Sequence, residues 1–357
     1  ETCDGVERDC DPATSAAGAV FSGDSGDVDL TADLSGASDA PAAWTSAEDG
    51  TLSLCEGTWY VNLALEHDVS VVGDGAVLHG AGGRPVSVSE AVVVSLEGVA
   101  LTGGAQLYGG GLSCTAAAAL SLDGVSVYGN SASEMGGGVY LSDGCQASFE
   151  AVSLYENIAP NGGGLMIDDG DLQVSNSLIF QNSALYNGGG VEVRHAATVD
   201  IADSEITENT SQGGAGIALW SGVATITDSL IAENIAASYA SGGGLSLDFD
   251  NDDLPCSVTM VDTLVTGNEA GDGAGALVYD GPTLSCTGSP GSYAGFVANV
   301  ASDDGGAIFS WAGQLISKGC DWGTDVGKDN NVPEDFNSGV TEQDFGDDES
   351  FTCEYGL

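Results

Sequence analysis

The residues with the most evident chemical potential are Glu192, Arg194 and His195, in the run Gly190-Val-Glu-Val-Arg-His195. A carboxylate, a guanidinium and an imidazole this close on one extended strand bring a cation beside groups that can exchange a proton, as general acid–base catalysis requires. The same pattern also describes an outward polar strand face. Paired carboxylates at Asp168-Asp169 and Asp303-Asp304 have the residue types that flank a glycosidic bond in hydrolases. The first pair falls in a turn-like Asp168-Asp169-Gly170-Asp171 and the second just before a glycine cluster. Asp248, Asp250 and Asp252 alternate as hard-cation ligands do, but Asp253 stands where an EF-hand loop has glycine and Thr259 where it has glutamate. A looser Ca²⁺ site on that turn is the expectation, with Asp24, Asp27 and Asp29 as a second candidate.

The charge balance limits the partners. Among 357 residues there are 5 Lys+Arg against 54 Asp+Glu, a formal net charge of −49. No basic surface offsets phosphate repulsion, so nucleic acid and anionic lipid are excluded as direct ligands. No run approaches the ~20 apolar residues that span a bilayer, and the chain is read as soluble, without membrane insertion. Nine Cys indicate an oxidising compartment. The start at Glu1 without a basic and apolar leader fits a secreted protein whose signal peptide has been removed.

The elements that hold these residues repeat. An apolar residue followed three positions later by Asn recurs up to Asn130, Asn157, Asn182, Asn209, Asn234, Asn268 and Asn299, in steps of 27, 25, 27, 25, 34 and 31 residues. Eight to eleven residues after each Asn comes a glycine cluster and an apolar residue, from Gly136-Gly-Gly-Val139 to Gly305-Gly-Ala-Ile308. An earlier cluster ends at Leu112 without its Asn. Between these marks the apolar residues alternate, as in Ala224-Thr-Ile-Thr-Asp-Ser-Leu-Ile-Ala-Glu-Asn234, which is strand periodicity with no helical stripe.

A period near 26 residues with short strands and Gly or Asn corners predicts an all-β fold, a right-handed single-stranded parallel β-helix of about ten coils. A leucine-rich solenoid shares the period but requires a Leu run before its Asn. Stacked inward Asn amides supply donors and an acceptor to corner backbone groups and to one another, so the seven Asn residues are expected to form a structural ladder. Tyr128, Tyr155 and Phe180 occupy equivalent positions and are expected to stack. Trp44, Trp59, Trp220, Trp311 and Trp322 are too dispersed for a sugar-stacking platform to be read from spacing.

The organisation expected is an N-terminal Cys/Asp-rich segment and cap over 1–50, the β-helix over 51–312, and an acidic C-terminal cap over 313–357. From the coil period, Cys256 is expected to pair with Cys286 and Cys114 with Cys145, because residues one turn apart lie side by side. Cys320 with Cys353 would close the C-terminal segment, and Cys3 with Cys10 a small acidic loop. Cys55 is left over, free or available for an intermolecular bond.

The Phe-x-x-Asn and Gly-Gly-Ala-[Ile/Leu/Val] elements, present here as Ile179-Phe-Gln-Asn182, Phe296-Val-Ala-Asn299 and Gly305-Gly-Ala-Ile308, resemble the repeats of polymorphic outer-membrane proteins and related bacterial secreted β-helices. The stretch Asp49 to Leu65, followed by Val69 to Gly75, resembles the opening coils of pectin-lyase-like β-helices. That likeness implies the fold, and for some members cleavage of acidic polysaccharides, in which an Arg or Lys base acts near Ca²⁺. Arg194 and His195 with Glu192 are the residues here that match such a role. The segment Cys3-Asp-Gly-Val-Glu-Arg-Asp-Cys-Asp11 resembles the short Cys-Asp-Gly-rich motif of secreted myxobacterial-type proteins, which implies metal binding by Asp4, Asp9 and Asp11.

The function expected is that of a non-enzymatic extracellular or cell-surface protein, structural and adhesive, with no catalytic residues. Its partners would be cell-surface glycans or further copies of itself, joined end to end or through Cys55 into a filament, and Ca²⁺ its one cofactor. The alternative is a Ca²⁺-dependent polysaccharide-active lyase or glycoside hydrolase on the same scaffold.

Overall fold

A computed structural model gives the architecture and describes residues 18–248, 254–311, 313–322, 331, 336–337 and 350–352. The described residues form strands and turns, with no α-helix. Each coil runs through up to four faces. The first face stacks twelve parallel strands, ten of them between residues 51 and 312, with Leu63, Val86, Leu112, Val139, Leu165, Val191, Ile217, Leu245, Ala276 and Ile308 at one register. The second aligns Val71, Leu96, Leu122, Phe149, Val174, Ile201, Ile226, Met260 and Cys286. The third aligns Leu78, Leu101, Val127, Leu154, Ile179, Ile206, Ile231, Val265 and Phe296.

These three faces belong to one 31-stranded sheet, and the fourth is a separate eight-stranded sheet running from Ala105–Tyr108 to Val300–Asp304. Alternation does the sorting, because every second side chain of a strand points inward. In Ala197–Ala202 the inward Ala197, Val199 and Ile201 are buried while Asp200 is exposed. Each buried Leu, Ile or Val contributes about 1.5–3 kcal/mol. The fourth face packs on small side chains, with Ala132, Ala159, Ala184, Ala236, Ala270 and Ala301 buried along it.

The corner between the third and fourth faces is held by the Asn residues, all buried. In Asn182, Nδ2 donates to the Leu154 carbonyl (2.9 Å) and to Asn209 Oδ1 (3.1 Å), while Oδ1 accepts from the Asn157 backbone N–H (3.1 Å) and Asn157 Nδ2 (3.0 Å). The ladder continues one rung beyond the repeats to Asn331, whose Oδ1 accepts from Asn299. The corner between the second and third faces has its own ladder. Ser177, Ser204 and Ser229 accept from the backbone N–H of Val152, Ser177 and Ser204, and Thr263 accepts from Ser229.

The first glycine of each cluster folds the chain back over the first face. Gly188 has φ of +62°, and a Cβ there would sit 2.5 Å from the Glu192 Cβ. Conformation and space both require glycine, and the turn covers the second residue of the strand that follows. Met166, Glu192 and Ala218 are buried in this way although they lie on the outward side of the first face.

Both ends of the second face are closed by antiparallel strands. Ala19–Gly23 pairs with Gly50–Leu54 and with Gly26–Asp29, and Ser350–Thr352 pairs with Gln314–Ile316. The third-face strand Gly295–Val297 lies on Leu264–Thr266, and the second-face strand Gln314–Lys318 on Thr283–Thr287, so regular stacking continues past residue 312.

The disulfides differ from expectation at four of the described cysteines. Cys114–Cys145 forms, with Cα atoms 6.1 Å apart. Cys286 pairs with Cys320, not Cys256, with Cα atoms 6.2 Å apart, and Cys320 is thereby taken from Cys353. The reason is register: the extra residues of that coil precede Cys256, so it aligns with Gly222 and it is Met260 that lies on Cys286. Cys256 is a buried free thiol, whose pKa burial pushes up to about 12, with Asp248 adding to the shift. Cys55 is disulfide-bonded, so the free cysteine expected there is corrected. Cys3, Cys10 and Cys353 lie outside the described residues.

Candidate functional site

Glu192, Arg194 and His195 come together with Asp168, Tyr140 and Trp220 on the outward side of the first face. Parallel register places them: Tyr140 aligns with Met166 and Glu192, Asp168 with Arg194, and Trp220 follows Leu219, the partner of Val193. Four successive coils contribute side chains to this single strip.

Glu192 is fully buried under the glycine turn, so the outward polar strand face read from alternation is corrected at this residue. Its Oε1 accepts from Arg194 Nε at 2.7 Å and forms an ion pair with Nη2. Its Oε2 has no hydrogen-bond partner. Burial pushes the Glu192 pKa up to about 7, against the pull of Arg194 and the Gly162 N–H, with the charge of Asp168 adding to the rise. The Arg194 guanidinium lies 5.9 Å from the Trp220 ring centroid, within cation–π range.

His195 occupies a left-handed backbone conformation, φ +50°, with its backbone N–H donating to Ser221 Oγ at 2.9 Å. That turn swings its ring across to the preceding coil, where Nδ1 bonds Asp168 Oδ1. The other Asp168 oxygen accepts from the Tyr140 hydroxyl at 3.1 Å. Tyr140 packs on Tyr108 with centroids 5.2 Å apart, and burial together with the Asp168 charge pushes its pKa up to about 12. The strip therefore holds an Asp–His dyad, a carboxyl that titrates near neutral pH, and a cation committed to that carboxyl.

The other candidates separate. Asp303 and Asp304 end a fourth-face strand, where Asp304 N–H donates to Asp272 Oδ1 at 3.2 Å; they are not part of the strip. Asp24, Asp27 and Asp29 lie exposed on or beside the N-terminal hairpin, and Asp29 Oδ1 accepts from the Thr31 N–H at 2.9 Å. Among the described residues no three His, Cys, Asp or Glu converge as a metal site. Asp250 and Asp252 of the expected Ca²⁺ turn lie outside the described residues, as do Asp4, Asp9 and Asp11; Asp248 is described, on the strand Leu245–Asp248.

A second feature is a shallow trough of about 570 Å³ across the outward side of the second face. Ser95, Ser121, Ser148, Gln173 and Asp200 follow one another in register along its floor, with Gln146, Asp171 and Thr198 beside them. Spacing alone contained this signal: once the inward Leu96, Leu122, Phe149, Val174 and Ile201 are aligned, the residue before each is Ser, Ser, Ser, Gln and Asp. The aromatic residues Tyr128, Tyr155 and Phe180 stack on the outward side of the third face at 5.0 Å centroid spacing.

Among the described residues no helix is long and apolar enough to cross a membrane. No curated protein and no solved structure matches the chain. The model of the right handed beta helix region matches residues 77–231 and 110–289. With the parallel register of its three long stacks and a family match over more than half its length, the chain belongs to the right-handed β-helix family.

Proposed function

We propose that this β-helix is a non-enzymatic extracellular or cell-surface protein, structural and adhesive, that holds glycans along the trough of its second face. The observation that carries this reading is the row Ser95, Ser121, Ser148, Gln173 and Asp200, one hydrogen-bonding side chain per coil at about 4.8 Å intervals. Hydroxyls, amides and carboxylates in a repeating row suit a repeating, hydroxyl-rich polymer laid along the axis. Two intrachain disulfides among the described residues support an oxidising compartment. Growth into a filament by coil-on-coil stacking is disfavoured, because antiparallel strands cover both ends of the second face, and Cys55 is already bonded.

A panel of neutral and acidic glycans tested by calorimetry checks the reading. Binding that weakens about tenfold in Ser121→Ala/Ser148→Ala, with no bond cleavage over days, is the expected outcome. Absence of binding across the panel, or binding indifferent to that pair of substitutions, removes the trough from consideration.

The second reading, polysaccharide cleavage, rests on the assembled strip. Its Asp168–His195 dyad can take up a proton, and Glu192 can release one near neutral pH. Release of new sugar ends by the wild-type protein but not by His195→Ala would establish this reading and end the non-enzymatic one.

A further inference from the structure

Five outward carboxylates stand on the strands of the second face: Glu97, Asp123, Glu150, Asp171 and Asp200, all exposed. They fall on the five successive segments 93–97, 119–123, 146–150, 171–175 and 198–202, the same five that line the trough. The second-face strands stacked on either side carry none. Gly50–Leu54 and residues 69–73 precede the trough, and Gly222–Thr227, Cys256–Val261 and Thr283–Thr287 follow it, all without Asp or Glu. Concave surface and negative charge therefore coincide, coil for coil.

Three of the five form a column. Asp123 is the register partner of Glu97 on one side and of Glu150 on the other, at a strand spacing of about 4.8 Å. Like charges directly opposite one another weaken a sheet, and a local rule broken within an otherwise consistent fold marks a functional surface. No cation of the described chain relieves the column. Arg84 is bound to the backbone carbonyls of Tyr108 and Gly109, Arg194 to Glu192, and Lys318 stands on a strand four coils beyond Asp200. Glu150 also accepts from Ser175 Oγ and from Asn176 Nδ2, which holds its carboxyl below the usual range and keeps it charged.

We propose that the trough selects glycans that carry free amino groups, with the column Glu97, Asp123 and Glu150 pairing with ammonium substituents of a chain laid on the hydrogen-bonding row. The inference rests on the glycan reading of the trough and adds the chemical class of the glycan. Charge complementarity selects it: uncompensated carboxylates repel uronate or sulfated polymers and attract a polymer bearing positive charge at regular intervals. The geometry agrees. Ser121 and Asp123 are two residues apart on one strand, about 7 Å, so substituents of a chain that follows the serines reach the carboxylates beside it. Row and column advance by the same coil repeat, and each further sugar meets a further hydroxyl and a further charge.

The test uses the full chain and two oligomers of one length, glucosamine and N-acetylglucosamine, which differ in whether the nitrogen is charged. Calorimetry in mildly acidic, low-salt buffer should show the glucosamine oligomer binding about tenfold or more tightly, with the preference shrinking as salt is raised. Glu97→Gln/Asp123→Asn/Glu150→Gln should abolish the preference and leave binding of the acetylated oligomer unchanged. Glu156→Gln/Glu208→Gln/Glu233→Gln, which removes the same charge from the corner between the third and fourth faces, should leave the preference intact. Equal affinity for the two oligomers would overturn the proposal while the glycan reading stands, and binding of neither would overturn both. Equal loss in the corner variant would show that net charge alone draws the amine, and a galacturonate oligomer bound more tightly in Ca²⁺ would show that the carboxylates serve a bridging cation; either result overturns the proposal. The comparison of the two oligomers on wild-type protein stands even if a variant fails to fold.

Discussion

The coils before residue 104 and those after it solve the same closure problem differently. In the first coils the chain passes almost directly from the third face to the first: one strand, Gly57–Leu65, serves both, with Trp59 on Leu78 and Leu63 on Val86. Later coils detour through a fourth-face strand, and the distance from inward third-face residue to inward first-face residue grows from four (Trp59 to Leu63) to twelve (Val127 to Val139). The Asn ladder begins where the detour begins, with Asn130 Oδ1 accepting from the Gly104 N–H at 2.9 Å. A strand that continues straight leaves no corner groups without partners, whereas a buried corner leaves several. The Asn residues are therefore the structural requirement of the fourth face.

The largest expected effect tests this directly. Asn182→Ala removes partners from the Leu154 carbonyl, the Asn157 backbone and the Asn157 amide in a buried site, a loss of about 4 kcal/mol or more at about 1–3 kcal/mol for each group. Asn62→Ala, in the early coils, removes a side chain whose Oδ1 has no hydrogen-bond partner, and should cost under about 1 kcal/mol. Equal shifts of the two denaturation midpoints would break the comparison.

Next in size is the pH dependence from Glu192. Its folded pKa of about 7 lies above the ordinary 4.5, so the native state keeps a proton that the unfolded chain releases. Its contribution to stability is then greatest below pH 4.5 and is lost as pH rises through 7, about 3 kcal/mol in all. Glu192→Gln should flatten that part of the midpoint-against-pH curve; an unchanged slope would place its source elsewhere.

Removing the Cys114–Cys145 bond as Cys114→Ala/Cys145→Ala should cost about 2–4 kcal/mol, measured by thermal denaturation under non-reducing conditions. Ser204→Ala, which breaks one rung of the serine ladder, should cost about 1 kcal/mol. A negligible cost there would show that this corner, unlike the Asn corner, tolerates water in place of the hydroxyl.

Part of the polar wiring was legible. The seven Asn residues stand out because each follows an apolar strand at a near-constant period. The serine ladder was equally present, with Ser or Thr five residues before Asn182, Asn209, Asn234 and Asn268, but Val takes that position before Asn130 and Asn157, which obscures it. Asn331 lies 32 residues after Asn299, close to the preceding step of 31, and was hidden because Lys328 stands three positions ahead of it, where the other seven have an apolar residue.

By itself the sequence determined the coil, because strand alternation and recurring Gly and Asn corners are local properties that any stacked arrangement must honour. Tertiary structure alone decided what each coil places against its neighbour. It buried Glu192, since a glycine turn four residues earlier folds back over a strand that alternation presents as outward. It joined His195 to Asp168 and Cys286 to Cys320 across 27 and 34 residues. Those pairings depend on how many residues each loop inserts and on which side of a strand it inserts them, and that register is settled only when the coils stack.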